Sequence, residues 1–498
     1  MSLEQNRERD ASFPAQHFSP RLSNEDLLPV KTKTWGTYSL FAMWMSNVHS
    51  VAGYVFAASL FALGIPGWQV LIALLLGIGI TNFFVNKVGK IGQTYGIPFA
   101  VSCRPSFGVL GANIPGIIKA IIATCWYGIQ TWVASTAIVV AVLRFFPDLE
   151  PLTKDSFLGL STLGWAAFLI LWAIQFVVFY RGIETVRRFC DWAGPGVYVV
   201  MFLLAGWIVM KAGPGNISFT LSSEQLGGGQ MWAMFFTAVA LVVSYFAGTT
   251  LNFADFSRLL KSPKSMTRGN FLGLPVNLMI FALVTVITTS GGYQVFGEMI
   301  MDPVHLVARI DHTTAVLLGV LTFAISTVAT NIVANFISAA FDLANLIPSK
   351  INFRRGGIIA SILAIVVMPW NLYSNPTMIQ YTLGTLGALI GPLFGILMAD
   401  YYRVRKQFIE TEALYTDNPR GAYWYTKGFN LTAVRALAIA AALSVSAALV
   451  PAFSVVAPFS WFVGAGTAFL VYPYLAKHPK YGLAAQSAVE DEPAAVVS

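Results

Sequence analysis

Apolar runs long enough to cross a bilayer recur along almost the whole chain. The hydrocarbon core leaves such runs few choices. Each backbone polar group at that depth needs a partner within the protein, so a run of roughly 20 apolar residues is satisfied as a helix. About twelve spans are predicted, near residues 38–63, 67–86, 115–145, 163–180, 193–211, 231–256, 271–290, 314–341, 357–370, 377–400, 432–450 and 460–476. Hydrophobic residues are 56% of the 498 and charged ones 11%, which sets the chain among polytopic membrane proteins. The expected fold class is an all-α integral membrane protein.

The first span cannot be continuous. Ser46, Asn47, His49, Ser50 and Gly53 interrupt it near the middle, where polarity is most costly. Freed backbone groups at that depth are tolerated only against protein or a water-filled cavity, so the break is expected to line a site. The sixth span carries Ser244-Tyr245-Phe246-Ala247-Gly248-Thr249-Thr250 at its centre, a second interruption of the same kind. Broken helices five spans apart enter the membrane from opposite sides, which fits an inverted repeat with a binding site at its interface. The ordinary abundance of Gly and Thr in membrane helices accounts for the same composition. The predicted organisation is a tail over 1–34, five spans over 35–212, five more over 213–402, two over 403–477 and a disordered tail over 478–498.

Lys and Arg mark alternate connections. Lys31 and Lys33, Lys87 and Lys90, Arg181 to Arg188, Arg258 to Arg268, Lys350 to Arg355, and Arg403 to Lys406 fall on one side, against only Arg144, Lys154, Lys211 and Arg309 on the other. This predicts cytoplasmic termini in a plasma (inner) membrane. The net charge of +8 is thereby explained by topology, and a nucleic-acid partner is excluded. No secretory signal is read in the polar first 33 residues. The three cysteines, Cys103, Cys125 and Cys190, have no C-x-x-C spacing, and the five histidines are scattered. Phosphate-loop, dinucleotide and hydrolase motifs are lacking, so an enzyme is not expected and no cofactor is called for. A monomer is compatible with the sequence.

Candidate site residues follow from helical spacing. Trp126 and Gln130 are i and i+4, an aromatic plate beside an amide, which suits a flat heterocyclic amide; helix packing accounts for the same spacing. In the eighth span Asn331 and Asn335 repeat the i, i+4 pattern beside a hydroxyl stripe of Ser326, Thr327 and Thr330, more polar than helix contact needs. Asn amides distinguish carbonyl from N–H edges, and hydroxyls with carbonyls suit a hard cation. His49 is the one ionisable group at mid-depth, with Asp255, Asp342 and Lys119 nearer the ends. A neutral substrate is therefore expected, and proton coupling through His49, relayed by Asp255 or Asp342, is favoured over sodium. Gly387, Gly391 and Gly395 predict a close-packing face on span ten.

At these residues the chain resembles the bacterial nucleobase–cation symporter family of cytosine, uracil, thiamine, allantoin and hydantoin permeases. The resemblance rests on Trp44-Met45-Ser46-Asn47-Val48-His49-Ser50, Trp126-Tyr127-Gly128-Ile129-Gln130, Asn331-Ile332-Val333-Ala334-Asn335 and Gly391-Pro392-Leu393-Phe394-Gly395, and is strongest to the allantoin branch. It implies a leucine-transporter-like fold of spans one to five and six to ten, working by alternating access. It implies Trp126 and Phe246 as aromatic plates, with Phe246 where the family usually has Trp. Gln130 and Asn335 would be hydrogen-bonding partners of the substrate, Ser50 stands at a position usually Gln or Asn, and Tyr245 and Asn331 join the substrate set. A sodium site would use the Ser46 and His49 carbonyls with Ser326 and Thr330, Ala329 supplying no hydroxyl. The expected activity is cation-coupled import of a small planar neutral nitrogen heterocycle, allantoin or a hydantoin before uracil or cytosine. The alternative is a passive facilitator or channel for the same solutes.

Overall fold

The computed structural model describes residues 18–222, 224–372 and 376–476, without the side chains of 376–383. The C-terminal tail expected to be disordered lies outside the described residues. Among these, ten helices are long and apolar enough to cross a membrane. The broken first span and the 14-residue Phe353–Val366 fill the two remaining positions of the predicted twelve.

Span one folds as two helices because its sequence supplies both an end and a start. Thr37–Val48 stops at His49, and Val51–Phe61 begins after Ser50, whose Oγ accepts the Gly53 N–H at 2.9 Å as an N-cap. Thr327 Oγ1 accepts the next orphan donor, Val51 N–H, at 3.2 Å. Glycine at 53 permits the close turn, since a Cβ there would sit 2.3 Å from the Val48 carbonyl oxygen. Span six breaks more tightly: Gly228–Tyr245 ends at Phe246 and Ala247–Leu251 resumes at once.

Several helices outrun their apolar stretches. Span two runs from Gly67 to Tyr95, past the predicted residue 86, until Gly96 adopts a left-handed φ of 71°. Span five starts at Ile183 rather than 193, its polar first turns held by Arg187 paired with Glu184 and Asp191, each at 2.6 Å. Span seven carries a wide π-turn at Leu272–Val276 around Pro275, and span eight another at Ile332–Phe336. On span ten, added Cβ atoms at Gly391 and Gly395 would lie 2.4 and 2.3 Å from the Trp461 and Ala465 carbonyl oxygens, so both form the expected packing face; Gly387 faces open space.

Connections sort to two ends. Arg258, after span six, donates to the Asp26 carbonyl at 2.9 Å, Asp26 Oδ2 accepts the Phe353 N–H after span eight, and Lys90, in the last turns of span two, reaches Gln407 after span ten. At the opposite end Leu221 N–H bonds the Phe61 carbonyl at 3.1 Å and Trp370 Nε1 bonds the Leu158 carbonyl at 2.6 Å. The connection from Gly92 to Pro115 reads in sequence, with Pro98, Pro105 and several further Gly, as amphipathic and lying at the cytoplasmic surface, yet its stretch 96–109 is buried throughout. Its polarity is met internally: Arg104 donates to the Leu22 and Leu414 carbonyls and to Asn345 Oδ1, at 2.7 to 2.8 Å. Burial pushes that guanidinium down to about 10, which leaves it charged at neutral pH.

Candidate substrate site between spans one, three, six and eight

The break in span one releases the Ser46 carbonyl. Its helical donor would be Ser50 N–H, which bonds the Val48 carbonyl instead, so Thr330 Oγ1 from span eight takes its place. The same hydroxyl lies 3.1 Å from the Ser326 carbonyl, and the Ser326 Oγ is buried with no partner. Three of the four residues expected around a cation, Ser46, Ser326 and Thr330, are thus drawn together as neutral hard oxygens, and the Ser46 Oγ is, like that of Ser326, without a hydrogen-bond partner among the described residues. The fourth, His49, is expected through its carbonyl; its imidazole faces spans five and seven. Nε2 lies 3.0 Å from Asn277 Oδ1, which also accepts from the Tyr198 hydroxyl at 2.7 Å, and the ring packs edge-on against Tyr198 and flat on Phe281. This box between spans one, five and seven was not anticipated, because Tyr198 and Asn277 carry no local motif.

The second break presents aromatic surface. Tyr245 stacks on Phe56 of span one at 4.3 Å and 9°, and meets Phe246 edge-on at 5.1 Å. Thr249 Oγ1 accepts from Asn47 Nδ2 at 3.4 Å, which ties the two breaks together. Ser244, Tyr245 and Gly248 are half-buried at the middle of the span, whereas Phe246 is 1% exposed. No ring contact joins Phe246 to Trp126 among the described residues. Trp126 is half-buried on span three, one turn before Gln130, whose buried Oε1 has no partner among the described residues. Ser50 Oγ caps the helix as an acceptor, and among the described residues its hydroxyl donates no hydrogen bond.

Span eight holds the two amides, and they differ. Asn335, in the π-turn, donates Nδ2–H to Asn331 Oδ1 at 2.9 Å. Asn331 is fully buried and its own Nδ2 lies 2.7 Å from Gln175 Oε1, 2.9 Å from the Tyr127 carbonyl and 2.9 Å from Thr131 Oγ1. The expected ligand contact of Asn331 is therefore corrected: both ends of its amide are consumed by the protein. Gln175 on span four and Thr131 on span three, which complete this network, were missed by the sequence reading.

Two discontinuous helices with buried polar groups at the first break and half-buried ones at the second, tied to each other and packed on spans three and eight, define a membrane transporter of the leucine-transporter-like five-plus-five fold. The chain belongs to the family of permeases for cytosine and purines, uracil, thiamine and allantoin, whose model matches residues 27–464. It is 35% identical over 477 residues to the allantoin permease of Bacillus subtilis, covering 95% of this chain and 97% of that one. A purine-uracil permease of Arabidopsis thaliana is 33% identical, over 86% of this chain and 72% of the relative. The fold is similar to that of a nucleobase-cation-symport-1 family transporter solved in a closed conformation with bromovinylhydantoin bound, with TM-score 0.73, 23% identity, and coverage of 94% and 99%.

Proposed function

We propose that the protein imports a small, planar, neutral nitrogen heterocycle together with a cation, with allantoin or a hydantoin as first substrate and uracil or cytosine as second. The observation that carries this reading is the Asn335 amide, held on span eight by a hydrogen-bond network that runs back into span three, the helix bearing Trp126 and Gln130. An indole face and two amides match a flat ring edged with carbonyl and N–H groups. The family and the names of its relatives support the same class.

Stacking between Trp126 and Phe246 and hydrogen bonding to Gln130 and Asn335 orient the ring, with Tyr245 and Ser50 closing the edge at the two breaks. Ser46, Ser326 and Thr330 offer neutral oxygens to a hard cation, and the enclosed His49 is the competing carrier of charge. Because the cation and substrate groups share spans one and eight, occupancy of one site favours the geometry of the other, which is the linkage a symporter requires. Competition for labelled allantoin by uracil, cytosine, hydantoin and an amino acid tests the class. Allantoin and hydantoin are expected to displace the label at the lowest concentrations and the amino acid to have no effect; effective displacement by the amino acid overturns the reading.

A further inference from the structure

We infer that Asn331 is a positioning residue which turns the Asn335 carbonyl towards the site, so that this position reads an N–H donor on the ligand. The inference rests on the substrate class proposed above and specifies which edge of the ligand meets span eight.

Two backbone carbonyls, which cannot be turned over, set the polarity of this network. Gln175 is fully buried on span four, and its Nε2 donates to the Leu171 carbonyl at 3.2 Å and to Thr131 Oγ1 at 3.1 Å. The Leu171 carbonyl therefore fixes which end of the Gln175 amide is nitrogen, and Oε1 is left facing span eight. Asn331 Nδ2 sits 2.7 Å from that Oε1 and 2.9 Å from the second fixed acceptor, the Tyr127 carbonyl. Turned over, Asn331 would set its oxygen against both of these acceptors in a buried site, where unpaired polar atoms are costly. Its Oδ1 must consequently face Asn335, and only a donor can meet it there. Asn335 Nδ2 is that donor, at 2.9 Å. What remains to Asn335 is its second N–H and its carbonyl oxygen; the oxygen makes no hydrogen bond among the described residues, is aimed away from Asn331, and is the one acceptor this amide can offer.

Polarity is thus handed from span four to span eight, through groups that never touch the ligand. An acceptor fixed in this way discriminates against a ligand whose matching nitrogen is methylated, since the protein oxygen then stays unpaired.

The test uses the purified full chain and equilibrium binding of hydantoin and its N1-methyl and N3-methyl derivatives. The natural protein is expected to prefer hydantoin at least tenfold over one of the two methyl derivatives. Asn331→Leu, which removes the acceptor that pins Asn335, is expected to cut that preference below threefold, a change in ratio that mere loss of stability would not produce. Asn335→Asp keeps an oxygen facing the ligand and is expected to retain the preference within threefold, its protonated oxygen donating to Asn331. Retention of the full ratio by Asn331→Leu, or loss of hydantoin binding in Asn335→Asp, overturns the inference. If Asn331→Leu fails to fold, Asn335→Asp decides alone. A natural protein that binds none of the three removes the substrate reading itself, and this inference with it.

Discussion

In the proposed site Trp126 and Asn335 make two unlike contributions to substrate contact, and each has its own magnitude. Aromatic stacking contributes on the order of 1 kcal/mol beyond buried area, and loss of a hydrogen-bond partner in a desolvated site costs about 1–3 kcal/mol. Trp126→Ala and Asn335→Ala are therefore each expected to weaken allantoin binding roughly tenfold at unchanged membrane expression. Titration of purified variants checks this, and unchanged affinity in both would discard the site. The i, i+4 spacing of Asn331 and Asn335 was legible in the sequence and places both on one face of span eight. That the first is consumed was not legible, because its partner Gln175 lies 156 residues away, and only the packing of spans three, four and eight brings them together. His49 shows the same limit. Its depth follows from its place in an apolar run, whereas its enclosure by Tyr198, Asn277 and Phe281 depends on which helices span one meets.

The broken helices are the elements that residue order encodes most directly. A Ser that caps, a Gly three residues later and polar side chains just before them end one helix and start another, so the interruption at Ser46 to Gly53 could be read before any packing was known. Gly53→Ala tests that element. The added methyl would fall 2.3 Å from the Val48 carbonyl oxygen, so the two halves of span one must move apart. Uptake is expected to drop at least tenfold while the protein still reaches the membrane, as measured by initial rates normalised to expression; near-normal rates would show that the turn at Gly53 does not shape the site. Segment 96–109 is the counter-example. Its prolines and glycines read as a surface connection, because local composition does not reveal that carbonyls from residues 22 and 414 and the Asn345 amide will converge on the Arg104 guanidinium.

The whole molecule is ordered by where its connections meet. The segment before span one, the last turns of span two and the segments after spans six, eight and ten are hydrogen-bonded to one another, and they are the ones rich in Lys and Arg. By the bias of basic residues that end is expected to face the cytoplasm, so a reporter active only in the periplasm, fused after Ser498, should be silent; activity there would invert the orientation. The count and alternation of spans were legible from hydropathy and charge, since both are properties of single segments. The pairing of the two breaks through Asn47 and Thr249 was not, being a contact between halves of the chain 202 residues apart. Coupled transport is the central claim, and accumulation tests it most directly. Purified protein in sealed liposomes is given labelled allantoin at equal concentration on both sides, then an inward sodium gradient at fixed pH or an inward proton gradient without sodium. Under one of the two gradients the internal label is expected to rise transiently above the external concentration and to relax when an ionophore dissipates that gradient. Entry that never exceeds equilibration under either gradient would contradict the account and leave a passive facilitator.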